Sequence, residues 1–76
     1  MDKKVMATNL INMAIDKNEC EKVKIKYIGD SYRGIFDNAI RILDFYEPDM
    51  KDEAPMFRRS VIEEMKHILN NIKWKN

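Results

Sequence analysis

The chain carries one cysteine, Cys20, and one histidine, His67, so the residue types for a thiol nucleophile and its base each occur once. Thiol catalysis needs the pair within hydrogen-bond reach, and a third group to orient the imidazole. Here the two belong to distant segments, and no carboxylate or amide stands where it would recognisably orient the base. Gly29 and Gly34 are the only glycines, which leaves no glycine-rich phosphate loop. Glu63 and His67 fall four apart on one helical face, half of a transition-metal site, but a structural zinc site needs four ligands. An exposed helical pair is the expectation instead. The carboxylates Glu47, Asp49, Asp52 and Glu53 lack the alternating order and the turn glycine of a calcium loop. They suit the N-terminal end of the helix that follows, where negative charge is favoured by the helix dipole. No enzyme activity, metal or cofactor is expected.

The remaining side chains with chemistry to offer are contact groups. Arg58 and Arg59 sit near the start of a helix, where cations oppose the dipole. They could receive phosphate or an acidic partner, or pair with Asp52, Glu53 or Glu63. Trp74, flanked by Lys73 and Lys75, could stack on a base or anchor an interface, or fold back to cap the core. Lys22, Lys24 and Lys26 alternate with Val23, Ile25 and Tyr27. As a strand, that row of lysines would either deter edge pairing or read a DNA groove. Met50 and Met56 are the methionines expected at the surface.

Composition bounds what these groups can serve. At 76 residues the chain is one small domain, near the lower size limit for a single hydrophobic core. Small domains without disulfides often gain stability by oligomerising. Apolar residues make up 45% and charged residues 36%, which places the chain in the globular class with many charges on exposed helix faces. The formal net charge of +1 argues against nonspecific nucleic-acid binding, which draws on a clear basic excess. A lone cysteine forms no internal disulfide and suits a reducing compartment. No apolar run approaches the roughly 20 residues that span a bilayer. The opening MDKKVMATNL lacks the apolar region of a signal peptide. A cytoplasmic protein is expected, without membrane contact. The abundance of Lys, Asn and Ile is that of AT-rich bacterial and phage genomes, and small accessory proteins of phages and mobile elements are, as a class, often binding modules of this size.

The elements that must position these groups follow from periodicity. Val5, Met6, Leu10, Ile11, Met13, Ala14 and Ile15 give a wide apolar stripe on a helix over about residues 3–17, with Asp2 as a candidate cap. The alternation of KVKIKYI predicts a short β-strand over about residues 22–28. A helix stopped by Gly29 is the competing reading, since Cys20, Val23 and Tyr27 share helical spacing. Asp30 or Ser31 caps a second helix, whose apolar positions are Tyr32, Ile35, Phe36, Ala39, Ile40, Leu43 and Tyr46, with Asp37, Asn38, Arg41 and Asp44 opposite. Gly34 interrupts it, as a mark of close approach or of a helix that begins nearer Asp37, in which case YIGDSYRGIF could be a hairpin. Pro48 closes this helix. A loop from Glu47 to Ala54 leads to a third helix, with Phe57, Val61, Ile62, Met65, Ile68, Leu69 and Ile72 on one stripe. Pro55 suits its first turn, while Ser60 and Glu63 form a capping-box pattern that would start it later. The expected fold is mainly α: three helices around one core, with a strand after the first that pairs across a homodimer, because nothing else in the chain reads firmly as a strand.

The order strand, helix, loop, helix over residues 22–72 resembles the ribbon-helix-helix family of DNA-binding repressors. The resemblance implies a homodimer in which the strand pairs with its twofold mate. Lys22, Lys24 and Lys26 would face bases, Val23, Ile25 and Tyr27 would face the core, and the helix start near Ser60 would grip phosphate. The chain departs from the family in its longer loop, its preceding helix and its near-neutral charge. The leading expectation is a non-catalytic protein-binding regulator, inhibitor or adaptor that occludes a partner macromolecule through contacts drawn from Lys22, Lys24, Lys26, Arg58, Arg59 and Trp74. A dimeric DNA-binding regulator is the alternative.

Overall fold

A computed structural model of the chain describes residues 2–29, 31–72 and 74. Among the described residues the chain forms five helices: α1 (Lys3–Ala14), α2 (Lys17–Lys22), α3 (Tyr32–Tyr46), α4 (Met50–Glu53) and α5 (Pro55–Asn70). The three long helices are those the apolar periodicity predicts. Helix α1 ends sooner than expected because the next cap interrupts it. The Asp2 carboxylate accepts from the Lys4 N–H at 2.9 Å to start α1, and Asp16 accepts from the Asn18 N–H at 2.9 Å to start α2. Each cap satisfies a backbone donor that the first helical turn leaves unpaired.

The strand expected over residues 22–28 does not form among the described residues. Lys22 is the last residue of α2, and Lys24 adopts a left-handed backbone with φ of 59°. The Lys24 N–H donates to the Glu21 carbonyl at 3.1 Å and the Ile25 N–H to the Cys20 carbonyl at 3.0 Å. These two bonds are the Schellman closure, with Lys24 at the position glycine usually fills. Val23 on one side of the left-handed residue is buried, and Ile25 on the other packs partly against the core. From Ile25 to Gly29 the chain has no regular secondary structure. With one lysine in a helix, the next at a left-handed turn and the third beyond it, Lys22, Lys24 and Lys26 cannot stand in one row. The ribbon of the ribbon-helix-helix arrangement is therefore missing, and with it the strand pairing that implied a homodimer.

Helix α3 begins at Tyr32, capped by the Ser31 hydroxyl, which accepts from the Gly34 N–H at 3.0 Å. Asp30, the other candidate cap, lies outside the described residues. The helical start excludes the hairpin reading of YIGDSYRGIF and places Gly34 in the first turn as a point of close approach. A Cβ there would run into the Ile28 side chain and would lie 2.8 Å from the Ser31 hydroxyl oxygen. Asn38, expected on the outer face, is instead 1% exposed. Its Nδ2 donates to the Lys26 carbonyl at 2.9 Å, and its Oδ1 accepts from Arg41 Nη1 at 3.3 Å. Helix α5 starts at Pro55, and Ser60 lies inside it with its hydroxyl donating to the Met56 carbonyl at 3.1 Å. Ser60 and Glu63 are consequently not a capping box.

Helix α1 packs against both α3 and α5, so the core forms along it. Ala7, Leu10, Ile11 and Ala14 meet Ile35, Ala39, Ile42 and Leu43 of α3 and Val61, Met65 and Leu69 of α5. The fully buried Ala7 and Ala39 allow the backbones to approach, and each large side chain buried this way contributes about 1.5–3 kcal/mol. No described helix is long and apolar enough to cross a membrane.

Two substitutions test the α2–α3 connection. Lys24→Gly should raise stability by about 0.5–1 kcal/mol in urea unfolding, because the left-handed cost for an L-residue disappears; a loss would mean that Lys24 does not close the helix this way. Gly34→Ala would gain about 1 kcal/mol by helix propensity alone. Contact with Ile28 reverses the sign, to a loss of about 1–3 kcal/mol that Ile28→Ala in the same chain partly restores.

Candidate functional site

The residues that could do chemistry are not brought together. Cys20 is fully buried, its thiol donating to the Ala14 carbonyl at 3.6 Å, while His67 is exposed on α5. Burial pushes the Cys20 thiol above its ordinary 9.0, and the nearby Asp16 and Glu19 carboxylates add to the effect. A thiol held in this way is a poor nucleophile at neutral pH. Glu63 accepts from Lys66 at 3.1 Å instead of sharing a ligand with His67. Among the described residues no group of histidine, cysteine and carboxylate side chains is placed to hold a metal ion.

The expected contact residues lie on separate parts of the surface. Lys22 is tied to Glu19 at 3.1 Å, and this hydrogen bond and charge hold its pKa above the usual lysine value. Lys24 and Lys26 are exposed, with the Lys26 carbonyl engaged by Asn38. Arg58 forms a two-pronged pair with Asp44: its Nε and Nη2 donate to the two carboxylate oxygens, each at 3.1 Å. The partner is on α3, not among Asp52, Glu53 or Glu63. With side-chain exposures of 23% and 27%, this pair joins α3 to α5 and is only partly screened by water. Arg59 is exposed and lines a shallow groove of about 230 Å³ with Lys51, Pro55, Arg58 and Ile62. Trp74 folds back on the core. Its indole N–H donates to the Leu69 carbonyl at 3.0 Å, and its ring meets Tyr32 edge-on at 5.9 Å.

The groove with the most apolar lining lies elsewhere, between α1 and the C-terminal half of α3. Met6, Leu10 and Met13 recur at spacings of four and three on α1, and Leu43 and Tyr46 face them from α3. Together they line an open groove of about 180 Å³, with Asn9 and Glu47 as its polar groups. Leu10 and Leu43 belong to the core and give the floor rigidity. The two methionines are flexible and polarisable, suited to accept varied apolar side chains. Phe45 is 56% exposed and meets Tyr46 edge-on at 5.1 Å, so two aromatic rings stand at this end of α3. A second groove of about 360 Å³ adjoins the first through Tyr46 and Glu47 and is lined further by Pro48, Asp49, Met50, Glu53 and Ala54. Of the methionines expected at the surface, Met56 is 77% exposed and Met50 is half-buried beside this second groove. None of the groove's side chains stands out in the sequence as a site, because the stripes that line it also build the core. The one available signal is the width of the α1 stripe, part of which stays uncovered at Met6 and Met13.

Arg58→Ala should destabilise the fold by about 1 kcal/mol in urea unfolding, as should Asp44→Ala, and the double variant should cost clearly less than their sum. Strictly additive losses would show that the pair is not coupled.

No protein-family model matches the chain, and no curated protein or solved structure matches it.

Proposed function

We propose that this chain is a non-catalytic protein-binding module, a cytoplasmic regulator, inhibitor or adaptor that works by covering part of a partner's surface. The observation that carries the reading is the open groove of Met6, Leu10, Met13, Leu43 and Tyr46 between α1 and α3. Concave apolar surfaces with a few polar groups are where proteins accept side chains of a partner. Leaving the exposed parts of Met6, Met13 and Tyr46 in water forgoes burial worth about 25 cal/mol per Å² of apolar surface, and a docked partner would recover it. The lone, buried thiol suits a reducing compartment. With no strand among the described residues to pair between copies, a different protein, not a second copy of this chain, is the proposed partner.

Asn9 is exposed on the groove's edge, so it can carry a photo-crosslinking side chain without disturbing the core. Crosslinking from Asn9 in the producing cell should capture one protein in stoichiometric amount, and crosslinking from Asn70 on α5 should not. Asn9→Arg should lower affinity for the captured protein at least roughly tenfold while leaving the helical circular dichroism unchanged. Equal capture from both positions, or binding that survives Asn9→Arg, would refute the groove as the docking surface. Light scattering across a range of concentrations should return the monomer mass; a stable dimer lost on Asn9→Arg would make the occupant a second copy.

A further inference from the structure

We propose that the groove's occupant is a basic segment of the partner protein. An apolar side chain sits between Met6, Met13 and Tyr46, and lysine or arginine side chains continue over Glu47, Asp49 and Glu53. This rests on the reading of the groove as a protein-docking surface and adds the chemistry of what enters it.

The basis is charge complementarity along one continuous surface. The apolar groove runs into the second groove through Tyr46 and Glu47, and the charged side chains lining that second groove are Glu47, Asp49 and Glu53. Residues 47–53 carry four carboxylates against one lysine. That lysine, Lys51, lines the groove of Arg58 and Arg59 and is not among the residues lining the acidic one. Among the described residues, Glu47, Asp49, Asp52 and Glu53 form no ion pair. Asp49 sits at the start of α4 yet makes no capping bond. The one other carboxylate at this end of α3, Asp44, is already matched by Arg58. Lys22 lies within electrostatic reach of the Tyr46 hydroxyl, but its ammonium is engaged by Glu19.

Like-signed carboxylates gathered at a concave surface focus a negative potential. That field repels a nucleic acid or an anionic membrane and attracts a cationic chain. The order along the surface sets the order in the ligand: one apolar anchor, then positive charge. Such an arrangement speeds encounter through the charges and fixes register through the anchor.

The test is a random peptide library displayed on phage, selected on the folded protein and counter-selected on the Asn9→Arg variant. Surviving sequences should place an apolar residue next to lysine or arginine. A synthetic peptide of that composition should lose affinity roughly tenfold when Glu47→Lys and Glu53→Lys are combined, and should also weaken with added salt. Glu63→Lys, on α5, should leave it unchanged. Groove-dependent peptides without positive charge, or binding indifferent to the Glu47 and Glu53 reversals, would overturn the basic occupant while leaving the groove as a docking surface. A selection that yields no groove-dependent peptide would overturn both.

Discussion

The hydrogen bond from Asn38 to the Lys26 carbonyl fixes how the irregular middle of the chain meets its helices. Asn38 is buried in α3, and its amide would be costly to leave unpaired there. The partner it finds is a backbone carbonyl twelve residues earlier, in the segment that has no ladder of its own. Around this bond the connection is determined at each step. The α2 helix closes on Lys24, Ile25 packs onto the core, Lys26 presents its carbonyl to Asn38, Ile28 lies over Gly34, and Ser31 caps α3. A side-chain amide thus does for this segment what a neighbouring strand does in a sheet.

That connection has consequences at the other end of α3. With its N-terminal half held to the 25–29 segment and its middle packed on α1, the helix carries Leu43 and Tyr46 to a place opposite Met6 and Met13. Helix α5 covers α1 along another side. The short α4 follows directly on the end of α3, which brings Glu47, Asp49 and Glu53 into one groove with Tyr46. The groove and its acidic extension are therefore products of helix packing and of one tight turn, and no single element contains them.

The same steps explain which parts of the structure the sequence reveals. Helices α1, α3 and α5 are legible because their apolar residues recur at three and four over several turns. The strand reading fails for a specific reason. In a Schellman closure the residues before and after the left-handed position can both turn inward, so Val23 and Ile25 flank Lys24 at the spacing of a strand face. A glycine at position 24 would have signalled the turn; lysine hides it. Asn38 reads as surface because only a distant carbonyl makes its burial tolerable. The Asp44–Arg58 pair spans two helices and has no local signature either. The candidate site was legible only as an unusually wide apolar stripe on α1, since periodicity identifies an apolar face but not how much of it neighbouring helices will cover.

The near-neutral net charge conceals a separation that matters more than its sum. Glu47, Asp49 and Glu53 face one groove, whereas Lys51, Arg58 and Arg59 face another. Of the two surfaces, the basic one has part of its charge engaged, because Arg58 is committed to Asp44. The acidic one combines carboxylates outside any described ion pair with an adjoining apolar slot. Affinity for a partner needs burial, and selectivity needs charge placed beside it. Among the grooves of the described residues, the one at the end of α3 has the most apolar lining, with carboxylates beside it, and the proposed docking is placed there for that reason.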